Sequence, residues 1–591
     1  MELKTHIETA INGFSKFSDR NKLFILSIFV SIIAGLAAVV LKSTVHFTQE
    51  LLQNAFPENN YNYLYLAFPM IGILLTVMYI KLFVKDDLSH GVSKILYAIA
   101  RDKGKLKPHH TYSSIISSTL TVGFGGSVGL EAPITLTGSA IGSQLGSFFR
   151  LNDKSVITLV ACGSTAAVAA IFNAPVAGVV FAIEVLMLDL TTASLVPLLI
   201  SAVTATSTSY IILGRGIMFN PMTTINFEMG NIPFYTVLGI FTGLYSIYFM
   251  RVSEKIEKLF TKVKKSYIRI LIGGTLLGVF IFFFPSFYGE GYDTIISIMQ
   301  NNIKKIFINS PFHFLQYQEW GILLFLFLML MLKTFATAFT TGAGGIGGVF
   351  APSLFLGAIA GCFIAVLLNT LFDLELSILN FTLAGMAGIM GSVMKAPLTS
   401  VFLIAEISGG YQLIVPLIIT VVASNAIMYP FEKFSIYTKK LAKDGNLITH
   451  HKDKHALSRL DVKELIENNF KTLSPDATLR DLVDTIAHST RNIFPLVDEN
   501  RKFHGIIFLD DVREIIFKPE QYDTVKAKDL SFMPDISIDP DEQIADVAAK
   551  FRENDLYNMV VLDKENRYYG FISRANLFSK YREIIEEISE D

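Results

Sequence analysis

Two cysteines, Cys162 and Cys362, are all that 591 residues contain, and both sit in apolar, glycine-rich segments. That excludes a disulfide framework and leaves no cysteine spacing able to hold a metal. Charge is scarce too. Asp, Glu, Lys and Arg make up 17% of the chain, against about a quarter in an ordinary soluble domain. The shortage is local: Glu131 is the only such residue from Thr111 to Phe149, and Glu184 and Asp189 are the only ones from Ser155 to Leu213. Beyond about Lys439 the composition is that of a soluble protein. The net charge of −2 averages two unlike regions and gives no ground for a nucleic-acid partner. No signal-peptide pattern precedes the first long apolar run, since Glu2 to Lys22 is polar and mixed in charge.

What is present is apolar surface. Hydrophobic residues make up 51% of the chain, and the mean hydropathy is +0.47. Runs near 23–41, 63–84, 194–214, 233–250, 269–287 and 319–340 are long enough to span hydrocarbon. Others, near 131–149, 155–171, 174–188, 349–369, 378–394, 397–408 and 413–430, are shorter or interrupted by glycine, proline and single polar residues. Interrupted helices at membrane depth are tolerated where protein or a wet cavity covers their backbone, and their N-termini suit anions. Basic clusters at Lys16/Arg20/Lys22, Arg101/Lys103/Lys105/Lys107, Lys262/Lys264/Lys265 and Lys433/Lys439/Lys440/Lys443 mark cytoplasmic ends. Both termini are then expected in the cytoplasm.

The interrupted segments repeat. Gly123, Gly126, Gly129, Ala132, Pro133, Gly138 and Gly142 recur in register as Gly342, Gly345, Gly348, Ala351, Pro352, Gly357 and Gly361. At a nearby offset, Gly163, Ala174, Pro175 and Glu184 recur as Gly385, Ala396, Pro397 and Glu406. Broken segments in corresponding positions of two halves point to a transport site at the repeat interface. The sequence leaves open whether the halves are inverted. Glu131 lies inside the first of these segments. A lone intramembrane carboxylate is costly unless protonated or partnered. Glycines open a helix start before it, so its charged form competes with a permeating anion for the same amide donors. A structural ion pair is the other reading, but no basic residue stands near it in sequence.

These residues resemble the CLC chloride channels and proton–chloride exchangers over nearly the whole chain. "GSVGLEAP" looks like the family's Gly-Lys/Arg-Glu-Gly-Pro motif, and "GGVFAPSLFLGAIAG" is similar to its Gly-x-Phe-x-Pro motif. "AAIFNAPVAGVVFAIE" and "MKAPLTSVFLIAE" match closely, "SHGVS" is a looser form of Gly-Ser-Gly-Ile-Pro, and "SIYTKKL" looks like the segment with the inner tyrosine. The resemblance implies that Glu131 is the external gate, that the backbone N–H groups of Val349 and Phe350 bind the central anion, and that Tyr437 donates its hydroxyl to the inner one. Helix packing by the glycines and an interfacial aromatic are the plainer readings of those residues.

Several positions depart from the family. His90 stands at the central serine: either its imidazole faces the anion, adding pH dependence, or it points away and leaves the amides of Gly91 and Val92. Ser93 replaces a proline. Leu130 replaces the basic residue before the gate, which implies weaker focusing of anions, and Ala132 replaces a glycine. Val185 takes the place of the glutamate that supplies protons in coupled members. Valine carries no proton, which argues for passive conduction. Glu184 and Glu406 read as structural or dimer-related carboxylates.

A second repeat follows. Lys463, Leu465, Pro475, Asp476, Asp481, Asp498 and Gly505 recur as Lys528, Leu530, Pro540, Asp541, Asp546, Asp563 and Gly570. Each unit runs from a helical pattern ("DATLRDLVDTIA") through a strand ("IFPLVD") to "HGIIF" and another helix, and resembles one of a pair of CBS domains. The Ser/Thr-x-x-Asp that such nucleotide sites carry is split: Phe508 and Asp511 in the first unit, Ser573 and Asn576 in the second. Asp511, Ser573 and Asn576 are candidates to bind an adenine nucleotide, or else cap helices.

The expected fold is thus a polytopic α-helical membrane domain of two repeated halves with broken helices, followed by an αβ tandem CBS module. The expected boundaries are a cytosolic segment 1–22, a transmembrane domain 23–440, a linker 441–460, and CBS units 461–520 and 525–585. The expected function is glutamate-gated transport of an anion, chloride by family, by a non-enzymatic homodimer of the inner (plasma) membrane, with lipid around it and no required cofactor or metal. Proton-coupled antiport is the alternative within the family. A cation transporter and a nucleotide-sensing membrane scaffold are the alternatives outside it.

Overall fold

The computed structural model describes residues 18–53, 63–187, 192–214, 227–443, 460–554 and 556–590. Most of the expected N-terminal segment, Lys16 included, and nearly all of the expected linker lie outside the described residues. The chain divides into two compact units, Met1–Leu447 and Ile448–Asp591.

The first unit is helical. In chain order it contains α1 (Asp19–Gln53), α2 (Phe68–Tyr79), α3 (Gly91–Arg101), α4 (His110–Gly123), α5 (Glu131–Phe148), α6 (Asp153–Phe172), α7 (Pro175–Glu184), α8 (Thr192–Leu213), α9 (Ile232–Lys262), α10 (Ser266–Phe283), α11 (Tyr292–Met299), α12 (Glu319–Ala343), α13 (Phe350–Phe372), α14 (Ile378–Met394), α15 (Pro397–Ile407), α16 (Ile414–Met428) and α17 (Thr438–Lys443). Seven helices among the described residues are long and apolar enough to cross a membrane: α1, α6 and α8 to α10, together with α12 and α13. Two sequence expectations change here. The run 63–84 is not one long helix but a 3-10 turn, α2 and a π turn ending at Lys85, whose φ is 54°. The runs near 155–171 and 349–369, expected among the short ones, are full-length α6 and α13, because their glycines serve helix crossings rather than breaks.

The true breaks have a local cause. Asn173, at φ 55°, ends α6 in the left-handed region, and Pro175 opens α7. The repeat partner Lys395, at φ 54°, ends α14 in the same way before Pro397 opens α15. Proline at a helix start gives up an N–H that would have no intrahelical partner.

The halves are held by reciprocal bonds between repeat-equivalent residues. The Gly129 N–H donates to the Gly348 carbonyl (2.9 Å) and the Gly348 N–H to that of Gly129 (2.7 Å), forming an antiparallel bridge. Thr121 Oγ1 accepts from the Ile346 N–H (3.0 Å), and Thr340 Oγ1 from that of Ser127 (3.1 Å). At the C-terminal end of α7, Glu184 accepts from the Leu398 and Thr399 N–H groups of α15 (2.9 and 2.7 Å). Glu406 of α15 accepts from those of Val176 and Ala177 in α7 (3.0 and 2.8 Å). Each equivalent helix therefore starts where the other ends. Helices so paired run antiparallel, which makes the repeats inverted. It also makes Glu184 and Glu406 helix caps.

Glycine lets the crossings close. A Cβ on Gly138 or Gly163 would collide with the other's carbonyl where α5 meets α6, and Gly357 and Gly385 stand in the same relation between α13 and α14.

The second unit is αβ. It contains α18 (Val462–Leu465), α19 (Leu479–Ala487), β1 (Ile493–Val497), β2 (Phe503–Phe508), α20 (Leu509–Val512), β3 (Ser537–Ile538), α21 (Ile544–Asn554), β4 (Asn558–Leu562), β5 (Tyr568–Ser573) and α22 (Arg574–Glu590). Strands β1 and β2 pair antiparallel, as do β4 and β5, and β3 runs parallel to β4. Thr478 and Asp481 form a capping box at α19. Here too the repeats exchange bonds: the Phe503 N–H donates to the Asn566 carbonyl (2.9 Å), and that of Tyr568 to Arg501 (2.8 Å).

Candidate functional site

Three helix starts converge in the first unit. Gly91 opens α3 after His90, which sits at φ 56°. Glu131 is the first residue of α5, and its repeat equivalent Phe350 is the first residue of α13. The Gly129–Gly348 bridge sets the starts of α5 and α13 side by side. Their positive dipole ends and unpaired N–H groups therefore face a shared region.

A cavity of about 670 Å³ leads to that region. Its walls include His90, Gly91 and Val92, the loop Gly345–Val349, Tyr437 and Ala132, and it extends to Lys81, Lys258 and Lys439. Of the residues proposed from sequence, these bring together His90, Gly91, Val92, Val349 and Tyr437. Phe350 lies behind the wall, its ring buried and stacked on Phe172 with centroids 5.0 Å apart.

Glu131 is next in sequence to Ala132 of the cavity wall and is 3% exposed. Its Oε1 accepts from the Tyr292 hydroxyl at 2.8 Å. Its Oε2 is packed between Gly129 and Gly348; a Cβ on Gly348 would stand 3.5 Å from it. The carboxylate thus occupies the space between two helix starts, where a small anion would otherwise meet the amides.

The His90 side chain turns to α9: its Nε2 lies 2.9 Å from Glu257 Oε1. The loop into α3 is fixed from the other side by Ser93, whose hydroxyl donates to the Tyr437 carbonyl (2.8 Å). This serine ties the start of α3 to the Tyr437 segment. Leu130 and Val185 are both buried, and neither carries a titratable group.

Sequence reasoning missed Tyr292, Glu290 and Lys333. Lys333 is fully buried in α12 and donates to Ser127 Oγ at 2.8 Å. The signal was available, since Lys333 is the only charged residue from Trp320 to Ala343. Lys333 brings a cation from the second half to the loop that precedes Glu131.

No metal was expected, yet Asp86, His109 and His110 bring possible ligand atoms within 4.8 Å of one another. Asp86 Oδ2 already accepts from Lys107 Nζ (2.9 Å) and lies 3.0 Å from His109 Nε2. Burial raises the Asp86 carboxyl, but hydrogen bonds from Lys107 and His109 outweigh it and hold it at about 2. The cluster reads as an ion-pair clasp at the loop before α3.

In the second unit, Asp511 is exposed on α20. Ser573 donates to Glu467 Oε1 (2.5 Å) and accepts from the Asn576 N–H (3.1 Å), and Asn576 Nδ2 donates to the Leu465 carbonyl (3.3 Å). Glu467 also accepts from Arg491 (2.6 Å).

Fold and site together define a multi-pass membrane protein whose two inverted halves face each other through helix starts. Residues 71–429 match the family model described as voltage gated chloride channel, and residues 462–518 and 527–583 each match that of the CBS domain. The chain belongs to the CLC family and carries a pair of CBS domains. A putative chloride channel protein, ClcB-like, of Ralstonia nicotianae is 28% identical over 386 residues, 64% of this chain and 86% of that protein. The H(+)/Cl(-) exchange transporter ClcA of Vibrio cholerae is 27% identical over 429 residues, 69% of this chain and 87% of that one. Among solved structures, a slow cyanobacterial Cl-/H+ antiporter shares the fold with a TM-score of 0.61 at 22% identity, covering 73% of this chain and 99% of that one. A eukaryotic CLC transporter does so with a TM-score of 0.59 at 16% identity, covering 94% and 97%. Anion transport of the CLC kind, by a multi-pass membrane protein, follows from family membership.

Proposed function

We propose that this protein conducts chloride or a related small anion past the starts of α3, α13 and α5, with Glu131 as the gate. One observation carries the reading: the buried Glu131 carboxylate lies at the first residue of α5, beside the start of α13 and next in sequence to Ala132 of the cavity wall. Charged, it takes the anion's place. Protonated, or displaced by the anion, it leaves the amides of Val349 and Phe350 and the Tyr437 hydroxyl to the permeating ion. The amides of Gly91 and Val92 extend the path inward, and His90, held near Glu257, adds a titratable group at its margin.

Val185 favours a channel-like mode, because an alkyl side chain at that position relays no proton. The exchangers among the relatives favour proton-coupled antiport as the second reading. The working form is a homodimer of the inner (plasma) membrane with both termini cytoplasmic, as the basic clusters at Arg101–Lys107 and Lys262–Lys265 support. Reconstitution in chloride-loaded liposomes, with chloride efflux and external pH recorded together, separates the modes. Chloride efflux with no proton movement is expected, and proton uptake driven by chloride flow would overturn the channel mode. Flux that survives replacement of chloride by an impermeant anion would overturn anion transport itself.

A further inference from the structure

The gate loop, Gly123 to Glu131, is bonded along its length to one short segment from 160 residues away, "FYGEGY", Phe287–Tyr292. The Tyr288 hydroxyl donates to the Gly123 carbonyl (2.9 Å), and Ser127 Oγ donates to that of Phe287 (2.8 Å). The Leu130 N–H donates to Glu290 Oε1 (3.4 Å), and the Tyr292 hydroxyl donates to Glu131 Oε1 (2.8 Å). Gly289 at φ 62° and Gly291 at φ 84° flank Glu290. That left-handed backbone, which glycine adopts at little cost, lets Glu290 and Tyr292 reach the same loop. Lys333 clamps the loop from α12 through Ser127 and lies 4.6 Å from the centre of the Phe355 ring.

We propose that Phe287–Tyr292 is a latch on the external gate and that Tyr292 is its positioning residue, holding Glu131 in the closed position. The proposal rests on the gate reading above. A phenolic O–H favours a charged carboxylate over a protonated one, so the latch stabilises the gate in the form that blocks the anion. Opening then requires release of this bond as well as protonation or displacement. The ionisable groups facing the gate are Tyr292 of α11, Glu290 of the turn before it, Tyr437 before α17, Lys333 of α12 and, next to Glu290, Lys42 of α1.

The test is anion flux against pH in liposomes, using the full chain. Tyr292→Phe removes one oxygen, and the midpoint of pH activation is expected to move to higher pH by about 1 unit. Tyr288→Phe, which removes the bond to the Gly123 carbonyl of the same loop, is expected to move it in the same direction. In a Glu131→Gln background, itself expected to be insensitive to pH, neither change should have any effect. An unmoved midpoint in Tyr292→Phe beside a flat Glu131→Gln profile overturns the latch and leaves the gate standing. A Glu131→Gln protein with the wild-type profile overturns the gate, and the latch with it. A shift from Tyr292→Phe that persists without Glu131 also overturns the latch. Should Tyr292→Phe fail to give monodisperse protein, Tyr288→Phe decides, and a midpoint that stays or moves to lower pH overturns the proposal.

Discussion

Membrane and cytosolic units are built on the same plan and use it differently. Each is a duplicated segment whose copies exchange hydrogen bonds between equivalent residues: Gly129 with Gly348 in one, Phe503 with Asn566 and Tyr568 with Arg501 in the other. In the membrane unit the copies differ at the centre of the dyad. Glu131 and Phe350 open equivalent helices, one with a buried carboxylate and one with a buried aromatic ring. In the cytosolic unit the divergence divides a motif between copies, Phe508 and Asp511 in one and Ser573 and Asn576 in the other. Symmetry supplies the frame in both, and function depends on where the symmetry is broken.

The frame should be the least tolerant of change. Gly163→Leu and Gly385→Leu each drive a side chain into a facing backbone carbonyl, an overpacking beyond the usual cost of about 3 kcal/mol. Neither should yield a monodisperse species on size-exclusion chromatography. If one does and the other does not, the two crossings are not energetically equivalent.

The broken position should respond by function rather than stability. Glu131→Gln should give flux that no longer changes with pH. Phe350→Leu, at the equivalent position, should keep the pH dependence while losing about 1 kcal/mol of packing against Phe172. Flux–pH profiles of the two variants measure the asymmetry directly; equal loss of pH dependence in both would erase it.

The reciprocal caps offer a finer test. Glu184→Ala and Glu406→Ala should each lower stability by about 1–2 kcal/mol, and by similar amounts, in thermal unfolding of detergent-solubilised protein. A large difference would show that the dyad is geometric but not energetic.

How much of this was legible varies with distance along the chain. The helix starts, the lone carboxylate Glu131 at one of them and the proline-opened breaks at Pro175 and Pro397 were legible because each is a local pattern. The inversion was not, since equal spacing of glycines fits parallel and inverted halves alike; only the reciprocal reach of Glu184 and Glu406 decides it. Tyr292 and Glu290 were hidden because they meet the gate across 160 residues through glycine turns with no periodicity. Lys333 was visible as a lone cation in an apolar run, the same signal that singled out Glu131. The caps themselves were visible as carboxylates ending apolar runs, but not their targets.

The smallest effect separates the two halves of the split motif in the cytosolic unit. Ser573 ties the start of α22 to Glu467, which Arg491 holds in turn. Ser573→Ala should therefore cost this unit about 1 kcal/mol, the usual worth of a helix cap. Asp511 is exposed on α20, and Asp511→Ala should change stability by less than about 0.5 kcal/mol. Chemical denaturation of the full chain, followed by a probe placed in the cytosolic unit, distinguishes them. Equal costs would mean that Asp511 has a structural partner equivalent to that of Ser573. Unequal costs leave Asp511 as the half of the motif that the fold does not consume, and so the half available to a ligand.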